Sequence, residues 1–308
     1  MNRNTFYTEF LKRASLITVF LFFMGLQGKG QANDNFVIPD TLSPTNYYTQ
    51  LSLGLMSPIY RDFATSPLYY RGFGLYGSSA WLKHSELKER VFKMDVGFST
   101  TSAVFPESDF INLNGSATWV NLNLSYQRLW KLKSISNIKN NVKVGGVVVI
   151  SQNVRLNNSL YNNALGLENV SNAMASAQLM RDISRTETKQ LNLLIFKPIL
   201  KPVKRDVRFQ INVGILNFNY RPGYAYSYDS ELVGTETNPF SWALSNYKWS
   251  MNGWRLNTQI EYFTYLPNGN ARSLAYVWDA AHAPGKFEAF QMASHRIQYT
   301  LYFNRKKR

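Results

Sequence analysis

The sequence predicts an all-β protein, a single antiparallel transmembrane β-barrel of about twelve strands, with ten to fourteen as the range. Three observations favour this fold. Stretches in which apolar and polar residues alternate recur from about residue 47 onward. Their polar positions hold mainly Asn, Gln, Ser, Thr and Gly, which are typical of a crowded lumen. After the N-terminal segment, no apolar run approaches the length of a transmembrane helix.

The N-terminal segment has the features of a secretory signal peptide. Basic residues precede an apolar segment at 16–26, and Gly28 and Gly30 supply the small residues that a signal peptidase needs. The apolar segment is too short to span a bilayer as a helix. We therefore predict a signal peptide at residues 1–30 and a short polar N-terminal lead at residues 31–46.

The predicted barrel occupies residues 47–304, and several of its alternating segments are about ten residues long or longer, which suits a tilted crossing of a bilayer. Aromatic residues gather near segment ends, as in the interfacial girdles of membrane barrels. Asn252-Gly253 and Asn268-Gly269 predict hairpins. The sequence also predicts links between strands at 83–90, 133–141 and 201–206, and outer loops at 57–67, 105–110, 157–168 and 222–240. The clearest apolar faces are Leu51, Leu53 and Leu55; Phe92, Met94, Val96 and Phe98; Val120, Leu122, Leu124 and Tyr126; and Phe209, Ile211, Val213 and Ile215.

The last alternating segment places Ile297, Tyr299, Leu301 and Phe303 on one face, with Arg296 among the polar residues of the other. An alternating strand with a terminal aromatic residue resembles the closing strand of bacterial outer-membrane β-barrel proteins. This resemblance to Gram-negative barrels, with a Bacteroidota-type barrel as one candidate, implies an outer-membrane location. It also implies that the outer-membrane assembly machinery recognises these four apolar residues. Residues 305–308 form a basic C-terminal tail.

Composition excludes several classes of function. The chain has no cysteine, so disulfides, thiolate metal sites and a cysteine nucleophile are excluded. Its formal net charge is +15, but it has no nucleic-acid recognition motif, so we expect no nucleic-acid partner. Anionic lipopolysaccharide and outer-membrane lipid explain the charge with fewer assumptions. No His, Asp and Glu cluster has ligand spacing, so we expect neither a metal nor another cofactor.

The candidate functional residues are cations that interrupt the polar faces. They are Arg71, Lys93, Lys143, Arg208, Arg255 and Arg296, and only Asp95 and Glu261 accompany them on the same faces. If those faces line the lumen, the interior is net positive and favours anions. The sequence therefore predicts a small passive pore with an anion-leaning lumen. The alternative is that the cations pair with acids and backbone carbonyls and pack the lumen shut. That outcome predicts a structural or interaction barrel that partners another envelope protein.

A third hypothesis is a lipid hydrolase with a Ser–His pair on the barrel wall. The chain has only three histidines, and Ser294 and His295 are neighbours that point to opposite faces of a strand. No catalytic residue is therefore assigned, and we expect a protein that is not an enzyme. The acids Glu86 and Glu89 are interpreted as part of a solvated turn.

Overall fold

The computed structural model describes residues 45–104, 115–157, 165–190, 199–200, 202–222, 247–284 and 289–305. Within these ranges the regular structure is entirely β, and they contain no helix long and apolar enough to cross a bilayer. The predicted signal peptide and all but the last two residues of the predicted lead lie outside the described residues. The strands are β1 (Asn46–Asp62), β2 (Tyr69–His84), β3 (Lys88–Val104), β4 (Ser116–Lys131), β5 (Asn140–Leu156), β6 (Leu165–Asp182), β7 (Lys189–Gln190), β8 (Ile199–Leu200), β9 (Arg205–Pro222), β10 (Tyr247–Ser250), β11 (Trp254–Tyr265), β12 (Ala271–Ala283) and β13 (Phe290–Asn304).

Ten of these strands form a closed antiparallel barrel. Their order around the ring is β1, β2, β3, β4, β5, β6, β9, β11, β12 and β13, and β13 pairs with β1 to close it. Two strands, β7 and β8, pair only with each other, and β10 pairs with the last four residues of β9. A closed ring gives every strand a hydrogen-bonding neighbour on both edges, which a bilayer interior requires.

The predicted number of about twelve strands is wrong, because the barrel described has ten. The barrel strands are 12 to 18 residues long, so fewer of them fit into the barrel region than the usual strand-plus-loop length suggests, and ten is the lower limit of the predicted range. Residues read as loops belong to strands instead. β1, for example, continues through Pro58 to Asp62, in a region that the sequence assigned to an outer loop.

The two ends of the barrel differ in their connections. The end that holds Asn46 and Asn304 has short links at residues 85–87, 132–139 and 266–270 and a longer connection at residues 183–204, and we call it the terminal end. The opposite end, the loop end, carries the longest connection between barrel strands, at residues 223–253. Gly269 lies in the link between β11 and β12 with φ of 84°, which is the backbone conformation that the Asn268-Gly269 hairpin signal predicts.

Side chains alternate in direction along the strands, so the barrel has an apolar outside and a polar inside. Leu53 is 77% exposed, and Val96, Leu124 and Leu301 are also exposed on the outer wall. Asn123, Gln210 and Thr300 are buried on the inner side. This is the reverse of a water-soluble β-protein, whose apolar residues are in the core. The outer wall is therefore suited to lipid.

One strand departs from strict alternation. In β9 the partner of Ala173 is Leu216 and the partner of Met174 is Gly214, so Ile215 is an extra residue in the ladder. Ile215 and Leu216 are both exposed on the outer wall as a result. The bulge lets Asn212 before it and Asn217 after it both face inward, although the two are five residues apart.

Deleting Ile215 should leave the barrel able to assemble, because the shortened strand alternates without interruption and keeps all its facings. Deleting Leu301 from the regular strand β13 should prevent assembly. On one side of the deletion every residue would shift by one position, so its lumen-facing side chains would point to lipid and its lipid-facing side chains to the lumen. Heat-modifiable mobility in gel electrophoresis reports the assembled barrel for both deletions. Assembly of the Leu301 deletion and failure of the Ile215 deletion would contradict this account of the strand.

Candidate functional site

The barrel interior holds equal numbers of cationic and acidic side chains among the described residues. The eight cations at inward strand positions are Lys93, Lys131, Lys143, Arg155, Arg208, Arg221, Arg255 and Arg296, and the eight acids are Asp62, Glu89, Asp95, Glu168, Asp182, Asp206, Glu261 and Asp279. Most are buried. A buried charge without a partner is very costly, so the pairing of these groups determines what the interior can do.

Near the terminal end, Glu89 is the centre of one network. It is 0% exposed, and its carboxylate accepts hydrogen bonds from the side-chain amides of Gln127 at 3.1 Å and Gln178 at 3.0 Å. Nδ1 of His84 lies 2.9 Å from its second oxygen. The Lys143 ammonium lies 3.7 Å from that oxygen and also donates to the Ser85 carbonyl at 2.8 Å. Side chains of four further strands, β2, β4, β5 and β6, therefore meet on one carboxylate.

A second carboxylate adjoins this network. Glu261 accepts hydrogen bonds from the guanidinium of Arg208 and from the hydroxyls of Ser273 and Tyr302. A further nitrogen of Arg208 lies 3.6 Å from Glu89, so this arginine joins the two carboxylates. Charge-assisted bonds of this kind are the strongest hydrogen bonds in proteins.

The middle of the barrel contains a small polar cavity. Arg255 binds Asp279 through two nitrogens, at 3.1 and 2.8 Å. Arg296 lies 3.9 Å from both Asp95 and Asp279, and Lys93 lies 3.7 Å from Asp95. These groups line a cavity of about 130 Å³. It is large enough for a few waters and too small for most metabolites.

A wider vestibule opens at the terminal end. Its volume is about 570 Å³, and Tyr48, Phe263 and Tyr265 line part of it. The Tyr265 hydroxyl donates to Asp206 at 2.7 Å. The vestibule is larger than the central cavity, and Arg208 and Tyr302 line both, so the Glu261 network lies between them.

The loop end of the lumen is filled by aromatic side chains and an ion network, which together we call the plug. Its members are Tyr60, Tyr70, Trp119, Phe290, Asp62, Arg155, Glu168 and Arg221. The rings of Tyr60 and Tyr70 stack with centroids 5.0 Å apart, and Trp119 lies 5.6 Å from Tyr60.

Ion pairs of the plug also cross the barrel. Arg155 on β5 binds Glu168 on β6 and Asp62 on β1, the latter at 2.6 Å. Arg221 on β9 lies 3.1 Å from Asp62 and donates to the Ala283 carbonyl at 2.7 Å. The two guanidiniums lie about equally far from the ring of Phe290, at 5.1 and 5.3 Å.

Direct contacts join opposite walls of the barrel. The side chain of Asn153 on β5 lies 3.4 Å from the sulfur of Met292 on β13, and these strands are diametrically opposed in the ring of ten. Deeper in the lumen, Gln210 on β9 donates to Gln127 on β4 at 2.8 Å. Side chains of this barrel therefore meet across the lumen at more than one depth.

The structure places five of the six predicted cations inside the barrel. Lys93, Lys143, Arg208, Arg255 and Arg296 face inward, and each lies within 4 Å of an acid. Arg71 does not face inward. It lies on the outer wall, on the same face of β2 as Phe73 and Leu75, because the inward positions of β2 are the even-numbered ones.

The interior is balanced in charge and not positive as predicted, because the sequence prediction missed six inward acids, two inward arginines and one inward lysine. Asp182 and Lys131, at the terminal end, are two of these residues. Glu89, the supposed member of a solvated turn, is buried, whereas Glu86 is in the turn. Asp62, Glu168 and Asp206 were assigned to loops that prove to be strand. The strand alternation, extended by a few residues, would have placed all three inside. Also overlooked were Asp279, Arg155 and Arg221.

His295, the histidine considered for a Ser–His pair on the barrel wall, is not paired with an activated serine. Ser294 faces inward and His295 faces outward, and the ladder partner of His295 on β1 is Ser57. The Ser57 hydroxyl donates to the Gly72 carbonyl at 3.1 Å. Pro58, beside it, has no N–H, and the β1–β2 partner pairs are interrupted there. The Ser57 hydroxyl thus donates to a carbonyl where the β1–β2 pairing is interrupted. The contact of His295 is with a different residue, because its Nδ1 lies 2.7 Å from the Tyr276 hydroxyl.

Two further sets of residues can be placed. The described residues contain no group of three or more His, Asp or Glu side chains that could hold a metal ion. The four apolar residues of the predicted assembly signal, Ile297, Tyr299, Leu301 and Phe303, are exposed on the outer wall of β13. Their role in recognition by the assembly machinery stays a prediction.

Comparisons with known proteins concern the fold. No family model and no curated protein matches the chain. The outer membrane protease OmpT from Escherichia coli is 6% identical with a TM-score of 0.49, and the match covers 88% of this chain and 99% of that one. The transport unit of the autotransporter AIDA-I from Escherichia coli is 7% identical with a TM-score of 0.37, covering 87% and 94%. The COG4313 outer membrane channel from Pseudomonas putida F1 is 8% identical with a TM-score of 0.30, covering 87% and 100%.

At such low identity the likeness concerns architecture, and no residue role is transferred. These proteins differ in what they do, since a protease, a transport unit and a channel are among them. The closed barrel with its apolar outer wall is suited to span a bilayer, and its location in the outer membrane stays a prediction.

Changing Glu89 to Gln should lower the free energy of unfolding by about 3–5 kcal/mol, because Lys143 and Arg208 would lose a buried carboxylate. Glu86→Gln is the matched control. Glu86 pairs with Lys131 at the surface, and its side chain is 56% exposed, so its loss should cost under about 1 kcal/mol. Urea unfolding in lipid vesicles measures both. Equal losses of unfolding free energy in the two variants would contradict the assignment of Glu89 as the buried centre of this network.

Proposed function

We propose that this protein is a closed outer-membrane barrel that acts as a scaffold for another envelope component, and that it is not an open anion-selective pore. The observation that carries the proposal is the charge balance of the interior. Among the described strand residues, eight inward cations meet eight inward acids, and the ion pairs join strands across the lumen. An anion entering this lumen would have to displace carboxylates from cations that they already neutralise.

The plug supports closure independently of charge. Tyr60, Trp119 and Phe290 are buried against one another at the loop end, and close-packed aromatic side chains leave no room for a hydrated ion. The free-energy cost of opening the plug also favours a closed barrel. Opening the plug would expose Asp62 and Arg155 as well as the aromatic rings, so it requires the loss of several buried contacts together.

A gated pore is the second candidate, and the space at the terminal end favours it. The vestibule of about 570 Å³ and the central cavity of about 130 Å³ share Arg208 and Tyr302 in their walls. In a gated pore these two spaces would form a continuous path, and displacement of the plug would open it. Both candidates place the barrier at the plug, and they differ in whether the native protein ever moves it.

Planar-bilayer recordings distinguish the candidates. The wild-type protein should show no steady conductance, whereas a Tyr60→Ala, Phe290→Ala double variant should show discrete openings because the centre of the plug is removed. Phe303→Ala, on the outer wall, is the matched control and should stay silent. Frequent wild-type openings with a reversal potential on the anion side would overturn the proposal, and wild-type openings without ion preference would favour the gated pore.

The partner is proposed from an apolar feature of the terminal end. The link between β4 and β5 carries Ile135 and Ile138 as exposed side chains, and Ile138 is fully exposed. A link between strands is not part of the lipid-facing wall, so these residues leave an apolar surface without cover within the described part of the chain. Exposed apolar groups of this kind mark interaction sites. The partner would be an envelope protein with an apolar docking surface.

A photo-crosslinking amino acid at Ile138 should give one discrete protein adduct in intact cells, because the side chain would lie in the interface. The same amino acid at Leu53, on the outer wall, is the control and should give lipid adducts only. Denaturing electrophoresis after irradiation separates the products. Identical patterns at the two positions would reject the partner.

A further inference from the structure

The outer wall changes in the same way along three neighbouring strands as they approach the terminal end. Outward residues are first mainly apolar, with Gly77 and Ser79 of β2 as the exceptions, then aromatic, then cationic. In β2 the order is Leu75, Gly77, Ser79, Trp81 and Lys83; in β3 it is Phe98, Val96, Met94, Phe92 and Arg90; in β4 it is Val120, Leu122, Leu124, Tyr126 and Arg128. Aromatic side chains settle at the edge of the hydrocarbon region. The cation that follows each of them therefore lies at the depth of the lipid head groups.

The three cations are direct neighbours in the ladder. Lys83 is the partner of Arg90, and Arg90 is the partner of Arg128. All three are exposed, and within the described residues none of them lies within ion-pair distance of an acid. Like charges directly opposite each other in a sheet are destabilising. The row Lys83–Arg90–Arg128 therefore has a strong attraction for an anion that the described chain does not supply.

Aromatic rings hold both ends of this row at the surface. The Lys83 ammonium lies 5.4 Å from the ring centre of Tyr47, and the Arg128 guanidinium lies 4.9 Å from that of Trp130. Cation–π contacts fix the direction of such long side chains without neutralising them. The cations are thus oriented at the membrane interface but keep their charge.

The remaining charges of the outer wall support an anionic lipid surface at this end. No outward strand position in the described ranges holds an acid. Further outward cations at the terminal end are Lys88 on β3, Arg181 on β6, Arg205 on β9 and Arg272 on β12. At the loop end the outward strand cations of the described part are only Arg61 and Arg71. Because the interior is balanced, much of the net positive charge is concentrated around one rim.

We propose that Lys83, Arg90 and Arg128 form a binding site for the phosphate groups of anionic phospholipids in the leaflet at the terminal end. Guanidinium groups bind phosphate oxygens in pairs, and a lysine adds a point charge beside them. The aromatic and apolar residues of the same strands would contact the acyl chains of the bound lipid. A free phosphate ion could use the cations but not this apolar extension, and an acidic protein would lie outside the bilayer.

Native mass spectrometry of the full-length protein in detergent tests the site. The probes are dioleoylphosphatidylglycerol and dioleoylphosphatidylcholine, which share acyl chains and differ in charge. The wild type should retain the anionic lipid preferentially. The triple variant Lys83→Gln, Arg90→Gln, Arg128→Gln should lose at least about tenfold of that preference, since each cation near a membrane surface contributes a separate attraction.

The matched control is Arg181→Gln, Arg205→Gln, Arg272→Gln. It removes the same charge from the same end, but no two of these arginines are ladder partners. It should keep the preference of the wild type. An equal loss in both triple variants would overturn the site, because the effect would then follow net charge alone.

Two further arms complete the test. Arg90→Gln alone, at the centre of the row, should lose more of the preference for the anionic lipid than Arg272→Gln alone. If the triple variant does not assemble, this comparison of single variants tests the site. Displacement of the lipid by millimolar inorganic phosphate would overturn the assignment to a lipid. Equal retention of the two lipids by the wild type would overturn the proposal altogether.

Discussion

The structure depends on one constraint: polar groups within a bilayer need partners inside the protein, because lipid supplies none. The closed ring of ten strands meets this constraint for the backbone. At Pro58, which has no N–H, the Ser57 hydroxyl donates to the Gly72 carbonyl, so a side chain supplies the hydrogen bond that the backbone cannot. The buried carboxylates follow the same requirement. Glu89, Glu261 and Asp62 each bind several donors contributed by different strands.

The distribution of charge follows from the same constraint. A chain with a net charge of +15 would repel itself if its cations were gathered in a narrow lumen. In the described part of the chain the interior is balanced, and the outward strand cations lie mostly at one rim. The sequence prediction had grouped the outward Arg71 with the inward cations, whereas the structure separates inward from outward cations. Inward cations such as Arg208 pair with buried acids, whereas outward cations such as Arg90 are exposed on the outer wall.

Much of the fold could be predicted from the sequence because alternation is a local property. The outward direction of Leu53, Val96, Leu124 and Leu301 follows from the period of two, and so does the inward direction of five of the six cations. The identity of each partner could not be predicted in this way. Arg155 and Asp62 are 93 residues apart and meet only because the barrel closes. Their pairing depends on strand number and register, which are properties of the whole ring.

The sidedness of the strands is the central claim, and a pair of neighbouring cysteine substitutions measures it most directly, because the native chain contains no cysteine. Leu124→Cys and Ser125→Cys differ by one position on β4, and Ser125 lines the central cavity. A small nitroxide label is attached to each cysteine in the unfolded chain, before assembly in vesicles. Oxygen dissolved in the lipid should then reach the label at Leu124→Cys more readily than the label at Ser125→Cys, as measured by electron paramagnetic resonance. Greater oxygen accessibility at Ser125→Cys than at Leu124→Cys would contradict the account.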